Sequence, residues 1–388
     1  MIVHFVVDEK IIDQTIDNFL EISSENVFLV FTHEKNKKYI HITREGSFIR
    51  RFDYRYEDIN EVLNEIKAKA IIIHQLNLNF AKAINQIEKT IKIAWVVWGF
   101  DIYSLPKISY NLFAPKTKKF IISQKPIRLL AWKLKKHAYM TNFFYNYVVR
   151  KAKPKEIELR AIQRIHFFCT YIKEDFDYFK KYYSFNHLEF IETAFSSINQ
   201  YLAGNNKLRI LKDANNILIG NSNTLQSNYL DAIKLVAEEK KNINKVFVVL
   251  SYGPDKLHKR KVIESGEKLL GTTFFPLLDF LPRNQYIEIL QSCSTGIFYH
   301  YRQQAMGNII AMLYMGARVY LSEKNPAYHY FLRKGVFVNS IENDFKKFQT
   351  KRLESEKSDI NRKQLDLIFS HEKVLNDLKL LSQTLQKT

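Results

Sequence analysis

The stretch Asn216-Ile217-Leu218-Ile219-Gly220-Asn221-Ser222 decides how the second half of the chain folds. Its apolar residues suit a buried strand that leads into a glycine and two small polar residues, and Ser227 or Asn228 then suits the N-cap of a helix. This order predicts a cradle for an anion such as phosphate, because backbone N–H groups and the helix dipole would point at it. An ordinary turn between a strand and a helix is the alternative.

Outward from this stretch, short apolar runs alternate with longer amphipathic segments, which is typical of parallel sheets covered by helices on both faces. Strands are predicted at residues 2–7, 27–31, 70–74, 93–97, 165–169, 216–220, 245–250, 273–275, 295–299 and 319–321. Helices are predicted at residues 11–22, 59–67, 80–89, 228–240, 258–270, 283–292 and 307–315. The pattern predicts an α/β protein with two Rossmann-like domains facing a cleft, residues 1–205 and 206–340, and a charged helical tail at 341–388.

Composition excludes several classes of protein. The chain has 388 residues, enough for two domains, and its 29 phenylalanines and 22 tyrosines exclude intrinsic disorder. The two cysteines, Cys169 and Cys293, each lie in an apolar stretch, which indicates buried thiols in a reducing compartment. The opening residues read as a strand instead of a signal peptide, and no run reaches the ~20 apolar residues of a membrane span. These features predict a cytoplasmic protein.

The formal charge of +19 is concentrated in one segment. Residues 102–155 carry 13 lysines and arginines, no acidic residue and many interleaved aromatic residues. We favour a surface that docks on an anionic membrane, through Arg128, Trp132, Lys133, Lys135 and Lys136. A solvated basic face is the main alternative, and nucleic acid is disfavoured because no nucleic-acid-binding motif accompanies the charge.

Two more loops follow predicted strands, at the edge where open α/β sheets bind ligands. One begins at Ser251, and the other begins at Tyr299 and contains Arg302 and Gly307. Arg302 suits a diphosphate there, and Gly307 would let the backbone approach a ligand closely. A surface ion pair is the alternative for Arg302. The two loops contribute the candidate binding residues Tyr252, Gly253, Arg302, Gln303, Gln304, Gly307 and Asn308.

The ordered motifs resemble those of a known family. They are Ile217–Ser222, Ser227-Asn228, Tyr252-Gly253, Arg302-Gln303-Gln304 with Gly307, Asn325-Pro326 and, in the first half, Trp98-Gly99-Phe100-Asp101-Ile102-Tyr103. This set resembles glycosyltransferase family 56, the transferases that move 4-acetamido-4,6-dideoxygalactose from TDP to lipid II in enterobacterial common antigen synthesis. Residues 1–53 and 103–203 depart from the family pattern, so the acceptor stays open.

The resemblance implies a GT-B fold, in which the second domain holds a TDP-sugar donor and the first holds a polyprenyl-diphosphate-linked acceptor. It also implies a peripheral enzyme on the cytoplasmic side of the inner membrane, in agreement with the basic aromatic segment. GT-B enzymes generally neutralise the leaving diphosphate with a helix N-terminus and basic or polar side chains. We therefore expect no metal ion and no other cofactor.

An inverting transfer also needs a base to deprotonate the acceptor hydroxyl. We predict Asp101, because it follows a buried strand among aromatic residues that would raise a carboxylate pKa; helix capping is the alternative. His74 ends the preceding strand and is a second candidate, with a structural histidine as its alternative, and Asp8 is a third. Glu323 and Asn325 follow a later strand and are predicted to reach the ribose or the sugar.

The sequence thus predicts a metal-independent transferase that moves a 4-acetamido-4,6-dideoxyhexose from a TDP-sugar to a lipid-linked saccharide in surface polysaccharide assembly. One alternative is a GT-B transferase that uses a UDP- or GDP-sugar for capsule or lipopolysaccharide. A nucleotide-sugar 2-epimerase is another, and a non-enzymatic membrane- or nucleic-acid-binding protein is the last.

Overall fold

The computed structural model describes residues 1–33, 38–124, 154–239, 243–347 and 350–387. Within these ranges the chain forms two compact units. The first unit takes residues 1–108, 154–196 and 371–387, and the second takes 109–124 and 197–370. This grouping differs from the linear division expected from the sequence, because residues 109–124 pack with the second unit and the last helix packs with the first.

Each unit is built on a parallel sheet. The strands of the first sheet are β1 (Ile2–Val6), β2 (Asn26–Thr32), β3 (Ile49–Asp53), β4 (Ala70–His74), β5 (Lys92–Val96), β6 (Phe167–Thr170) and β7 (Glu189–Glu192). The strands of the second are β8 (Asn216–Ile219), β9 (Val246–Val249), β10 (Phe274–Leu277), β11 (Cys293–Phe298), β12 (Arg318–Leu321) and β13 (Asn339–Ser340). Hydrogen bonds order the first sheet β3-β2-β1-β4-β5-β6-β7 and the second β10-β9-β8-β11-β12-β13.

Helices connect the strands. In chain order they are α1 (Ile12–Ile22), α2 (Ile59–Ile66), α3 (Leu78–Ile84), α4 (Phe100–Tyr103), α5 (Pro115–Gln124), α6 (Pro154–Ile162), α7 (Lys173–Lys180), α8 (Ile198–Tyr201), α9 (Tyr229–Glu238), α10 (Lys256–Leu270), α11 (Arg283–Ser292), α12 (Met306–Met315), α13 (Pro326–Arg333), α14 (Ser355–Phe369) and α15 (His371–Gln386). Strand and helix alternate as in Rossmann-like domains, so the predicted α/β class with two such domains is confirmed.

Local sequence explains where several helices begin. The side chains of Asp58, Asn77 and Asp255 accept N–H groups from the first turns of α2, α3 and α10. Such a cap satisfies backbone donors that have no partner inside the helix. In the described part of the chain, no helix is long and apolar enough to cross a membrane.

The core of each unit lies between its sheet and its helices. Phe5 and Trp95 are completely buried in the first unit, on the central strands β1 and β5. In the second unit, Ile219 of β8 and Ile297 of β11 pack in one cluster with Tyr229 of α9. The strands at the centre of each sheet are therefore the rigid elements on which the following loops stand.

Each sheet has a topological switch point. In the first sheet, β1 has β2 on one side and β4 on the other; in the second, β8 lies between β9 and β11. Successive connections leave in opposite directions there and open a crevice at the carboxyl ends of the strands, where such sheets bind ligands. Functional side chains are therefore expected after β1 and β4 and after β8 and β11.

Candidate functional site

The loop after β8 is held in one conformation by Tyr229. Gly220 has a φ of +66°, and a Cβ placed on it would lie 2.4 Å from Cε1 of the Tyr229 ring, so no other residue fits without a shift. The Tyr229 hydroxyl accepts the Ser222 N–H at 3.1 Å and donates to the Val249 carbonyl at 2.5 Å. Tyr229, in the first turn of α9, therefore holds the predicted Gly220–Ser222 loop in place.

Gln304 connects the loops after β8 and β11 across the switch point. Its side-chain Nε2 lies 2.9 Å from Asn221 Oδ1, 3.1 Å from Ser222 Oγ and 3.2 Å from Thr224 Oγ1. Ser227 Oγ is 3.4 Å from the same nitrogen. The structure thus brings together Asn221, Ser222 and Gln304, three residues that the sequence assigns to one binding site.

Several buried polar atoms without partners lie on the loops after β11 and β12, and others lie elsewhere in the described part of the chain, at Tyr39, Asp53 and His258. Among the described residues, both ring nitrogens of His300, Oε1 of Gln303, Oε1 of Gln304 and Nδ2 of Asn325 lack a hydrogen-bond partner. A buried polar atom that stays unpaired costs about 1–3 kcal/mol. The clustering therefore favours a polar ligand or bound water on this side of the sheet.

His300 is the member of this group that sequence reasoning missed. Its ring is completely buried, and burial together with the nearby Arg302 charge lowers its pKa to about 3, so the ring is neutral at physiological pH. The signal that points to it is its place directly after a buried strand, in Tyr299-His300-Tyr301-Arg302. A neutral imidazole offers one donor and one acceptor to a ligand.

The start of α12 completes this edge of the second sheet. Arg302 is half-buried, and its guanidinium donates to the Gln303 carbonyl at 3.0 Å. Ala305 occupies the N-cap position at φ +64° with no side-chain cap on the first turn, and Gly307 is exposed in that turn. Asn308 instead donates to the Tyr286 hydroxyl at 2.7 Å, which ties α12 to α11.

The loop after β9 lies against the loop after β8. Gly253 has a φ of +125°, and a Cβ on it would lie 2.3 Å from the Asn223 carbonyl oxygen. The Asn223 N–H donates to the Tyr252 carbonyl at 2.5 Å, and the Tyr252 side chain is 66% exposed. Gly253 therefore permits a close approach of two backbones, and Tyr252 presents an aromatic ring to solvent beside the β8 loop.

Glu323 and Asn325 occupy the loop after β12. The Glu323 N–H donates to Glu342 Oε2 at 2.9 Å, and the Asn343 side-chain amide donates to the Glu323 carboxylate. Asn325 is completely buried, and its Oδ1 accepts the Ala327 N–H at 3.0 Å, so it is the N-cap of α13. Its contact with the ribose or the sugar stays a prediction. Because Oδ1 accepts the Ala327 N–H, the amide nitrogen Nδ2 is the atom that would make this contact.

In the first unit, Asp101 joins the loops after β4 and β5. Its Oδ2 accepts N–H groups from Trp95 Nε1 at 2.8 Å and from Leu76 at 3.2 Å, and its Oδ1 accepts the Ile102 N–H at 3.2 Å. Burial raises the pKa of this carboxyl to about 6 against the opposing effect of these hydrogen bonds. Gly99 holds the N-cap position of α4, and Asp101 is the second residue of that helix, where its carboxylate accepts one N–H of the first turn.

His74 belongs to a buried polar chain beneath α1. Its Nε2 lies 2.9 Å from His4 Nδ1, and His4 Nε2 lies 2.9 Å from Asn26 Oδ1. Burial lowers the pKa of His74 well below its ordinary value, and the charge that His4 would carry lowers it further. These contacts fit the structural alternative, and a catalytic role for His74 stays a prediction.

Two other predictions from the sequence concern Asp8 and the membrane-docking residues. Asp8 accepts the N–H groups of Ile40, His41 and Ile42, so it holds the loop before β3. The predicted membrane-docking residues lie outside the described residues; they are Arg128, Trp132, Lys133, Lys135 and Lys136.

Comparison with known families now decides the class. The model of the family described as "4-alpha-L-fucosyltransferase glycosyl transferase group 56" matches residues 143–374, more than half of the chain. The chain belongs to glycosyltransferase family 56. The matched range contains the whole second sheet with its polar cluster, whereas Asp101 and His74 precede it.

Solved structures share the fold of this family 56 glycosyltransferase. A glycosyltransferase from Rickettsia africae ESF-5 matches with a TM-score of 0.59 and 11% identity over 100% of this chain and 98% of that one. An E. coli structure described as trehalose-6-phosphate bound with UDP-2-fluoro glucose matches with a TM-score of 0.64 and 10% identity over 100% and 99%. Sucrose-phosphate synthase from Thermosynechococcus elongatus matches with a TM-score of 0.64 and 9% identity over 99% and 98%. The predicted GT-B fold is confirmed.

Proposed function

We propose that this glycosyltransferase moves a 4-acetamido-4,6-dideoxyhexose from a TDP-sugar to a polyprenyl-diphosphate-linked saccharide in surface polysaccharide assembly. The observation that carries the proposal is the polar cluster at the second switch point of a family 56 chain, where Gln304 meets Asn221 and Ser222. The ordered motifs shared with the TDP-sugar transferases of that family support the choice of donor.

The leaving diphosphate is the group that this cluster suits best. Breaking the sugar–phosphate bond leaves negative charge on the diphosphate, and groups aimed at that charge lower the barrier. We assign this work to the Gly220–Ser222 backbone, the Arg302 guanidinium and the uncapped first turn of α12, whose N–H groups carry partial positive charge. These groups supply the positive charge that a metal ion would otherwise provide, so we propose a metal-independent transfer.

Asp101 is the proposed base. A carboxyl with a pKa of about 6 is largely ionised at pH 7 yet basic enough to take a proton from an acceptor hydroxyl. Because Oδ2 already accepts two close N–H groups, we assign the proton transfer to Oδ1, which accepts the Ile102 N–H at 3.2 Å and no other donor from the described residues. The hydroxyl oxygen then attacks the anomeric carbon as the bond to the diphosphate breaks.

We propose that the enzyme works as a peripheral protein on the cytoplasmic face of the inner membrane. The support is the charge of residues 102–155, with 13 basic and no acidic residues, together with a lipid-linked acceptor that resides in the bilayer. The acceptor chemistry and the basic segment thus point to the same location.

Nucleotide binding tests the donor assignment. Calorimetric titration of the purified chain with TDP, UDP, GDP and ADP in the presence of EDTA should give selective binding of TDP. Preference for UDP or GDP would keep the transferase and overturn the TDP-sugar donor. Binding that requires a divalent metal would overturn the metal-independent reaction.

A pair of matched variants places the binding site. Gln304→Glu replaces the donating amide beside Asn221 by a carboxylate and should weaken TDP binding by about tenfold or more. Gln291→Glu makes the same change at a side chain that donates to the Arg209 carbonyl, before the start of β11, and should leave TDP binding unchanged. Equal effects of the two variants would remove the assignment of the cluster to the donor.

A further inference from the structure

Asn228 lies at the junction of the β8 loop and α9, in an unusual conformation. It is completely buried, and its φ of +50° places it in the left-handed region, where asparagine is tolerated far better than most residues. Although it holds the N-cap position of α9, its side chain makes no capping hydrogen bond. The side chain is therefore committed elsewhere, in contrast to the helix cap predicted from the sequence.

The Asn228 amide joins two segments that are far apart in the sequence. Its Nδ2 donates to the Tyr299 carbonyl at 2.8 Å and to the Leu112 carbonyl at 3.2 Å, and its Oδ1 accepts the Ala114 N–H at 2.9 Å. Tyr299 directly follows β11 and begins the loop that carries Arg302 and Gln304. One buried amide thus fixes both the start of that loop and the residues that lead into α5.

Asp231, one turn further along α9, accepts hydrogen bonds from the same segment. Its carboxylate accepts the Lys116 and Thr117 N–H groups at 2.8 and 2.9 Å and the Thr117 hydroxyl at 2.8 Å. These bonds cap the N-terminus of α5 from a neighbouring helix. Asn228 and Asp231 therefore share one partner segment. The Asp231 charge also acts on the hydroxyls of Tyr299 and Tyr301, but among the described hydrogen bonds of these two side chains the one to the loop after β11 is made by Asn228.

We propose that Asn228 is a positioning residue for the donor site, setting the loop from Tyr299 to Gln304 through the Tyr299 carbonyl. The inference rests on the proposed function, because the β11 loop is the assigned diphosphate site. The amide is required for chemical reasons: it must donate to two carbonyl groups and accept one N–H at the same time. A carboxylate of the same shape can only accept, and it would face the Tyr299 and Leu112 carbonyl oxygens without a proton between them.

Two isosteric variants separate positioning from stability. Asn228→Asp keeps a residue that tolerates the left-handed region and removes both donations. Asp231→Asn disturbs the hydrogen bonds of the α5 cap and removes the charge near Tyr299 and Tyr301, but it leaves the hydrogen bond to the Tyr299 carbonyl in place. Asn228→Gly is a second variant that keeps the backbone conformation if the buried carboxylate prevents folding. Circular dichroism establishes that each variant is folded before it is compared.

Hydrogen exchange without ligand gives the first readout. Peptides covering residues 112–117 should exchange faster in both the Asn228 and the Asp231 variants, since both lose bonds to that segment. Peptides covering residues 299–304 should exchange faster in the Asn228 variants only. Unchanged exchange of 299–304 in folded Asn228 variants would overturn the proposal, whether or not the wild type binds a nucleotide.

Nucleotide affinity gives the second readout, measured with whichever of TDP, UDP, GDP and ADP the wild type binds best. The Asn228 variants should bind it about tenfold more weakly, and Asp231→Asn within about twofold of the wild type. Equal affinities of wild type and Asn228 variants would overturn the donor-site role of Asn228 and leave the proposed function standing. The wild type could bind none of the four nucleotides while residues 299–304 still exchange faster in the Asn228 variants. That result would overturn the donor assignment, and the role of Asn228 would then be only to hold the loop after β11.

Discussion

At the scale of single residues, Asp101 has two properties that indicate different roles, one structural and one catalytic. Its contacts with Trp95 and Leu76 hold the loops after β4 and β5 together, which is structural work. Its pKa of about 6 is instead the property of a group prepared to exchange a proton near neutral pH. A measurement that follows turnover and binding separately distinguishes the two.

Asp101→Asn should lower kcat by about a hundredfold or more, because general-base catalysis contributes at least that much. In the wild type, kcat/KM should rise with pH through about 6 as the carboxyl of the free enzyme loses its proton, and the variant should lack this rise. Steady-state rates from pH 5 to 8, with TDP affinity measured alongside, provide the check. Asp175→Asn is the matched control, a buried carboxylate that accepts the Tyr103 hydroxyl at 2.6 Å, and should keep turnover within a few-fold. Loss of TDP binding in parallel with turnover would make Asp101 a structural residue.

Gly220 offers a second test at this scale. Gly220→Ala adds a methyl group 2.4 Å from the Tyr229 ring in a left-handed conformation, and we expect about 2–4 kcal/mol of destabilisation. Gly204→Ala shares the positive φ, at +84°, but meets no atom within 4 Å, so it should cost about 1 kcal/mol. Thermal unfolding measures both variants, and TDP affinity should fall in the Gly220 variant alone. Similar melting temperatures would show that the Tyr229 contact does not restrict the β8 loop.

At the scale of elements, the strands that sequence reasoning found and those it missed differ in position. Central strands such as β4 and β8 are continuously apolar because helices cover both their faces, and this pattern is readable in the sequence. The missed strands β3, β7 and β13 all lie at sheet edges; β13 has only two residues, and β3 and β7 carry Arg50, Arg51, Glu189 and Glu192. Charged edge strands are common because charge discourages pairing between molecules, and it also hides the strand from a hydrophobicity pattern.

The residues of the candidate site also divide into those that the sequence pattern indicates and those that it does not. Gly220, Ser222 and Gln304 were recognisable because small or polar residues directly follow apolar strands. The roles of Asn228 and Asp231 were not, since the segment 112–117 that both bind lies more than a hundred residues away, and only the folded chain brings these segments together. The local sequence predicts that the Asn228 side chain caps a helix, but in the fold this side chain forms hydrogen bonds with Leu112 and Tyr299 instead.

The chain of hydrogen bonds beneath α1 is an element-scale feature with a pH dependence. Asn26 Nδ2 donates to the Phe19 and Ser23 carbonyls, so its Oδ1 must accept from His4 Nε2, and His4 Nδ1 must accept from His74. Protonation of both rings would place two donors, His4 Nδ1–H and His74 Nε2–H, against each other. The hydrogen bond between the His4 and His74 rings therefore requires at least one neutral ring, and burial favours the neutral form of both.

The first unit should lose stability as pH falls below about 6.5. Burial lowers the pKa of His4 to about 4 and that of His74 well below 6.5, so the folded state binds fewer protons than the unfolded chain in this range. Stability is thus fully present above 6.5, and we expect a loss of about 1 kcal/mol per ring between pH 7.5 and 5.5. Urea unfolding followed by tryptophan fluorescence reports on this unit in a Trp132→Phe background, because the other two tryptophans of the chain, Trp95 and Trp98, both belong to the unit.

A His4→Phe, His74→Leu double variant is the comparison for this prediction. Asp101, whose raised pKa gives the opposite sign near pH 6, is present in both proteins, so the difference between them isolates the two histidines. His371→Gln, at an exposed histidine beside Glu21 on the same unit, should leave the pH dependence as it is. An acid-induced loss of equal size in the double variant would assign the effect to other groups.

At the scale of the whole molecule, the charge distribution predicts where the enzyme works. The chain carries +19 in total, and residues 102–155 supply 13 of its basic residues with no acidic residue. Near an anionic lipid surface each basic residue contributes about 1 kcal/mol, so this segment alone can decide between bound and free protein. A charge-reversal experiment therefore tests location independently of the reaction.

Replacing Lys133, Lys135 and Lys136 by glutamate should weaken binding to vesicles of phosphatidylglycerol and phosphatidylethanolamine by on the order of a hundredfold or more, because at least three favourable contacts are lost. The matched control reverses Lys256, Arg260 and Lys261, which are exposed at the start of α10, and gives the same change in net charge. Sedimentation with vesicles at low and physiological salt measures both, since screening weakens a surface-charge interaction. Release of the first variant alone supports docking through the basic segment. Equal release of both would show that total charge is sufficient, and unchanged binding of both would remove the membrane-docking assignment while leaving the transferase and its donor site as they stand.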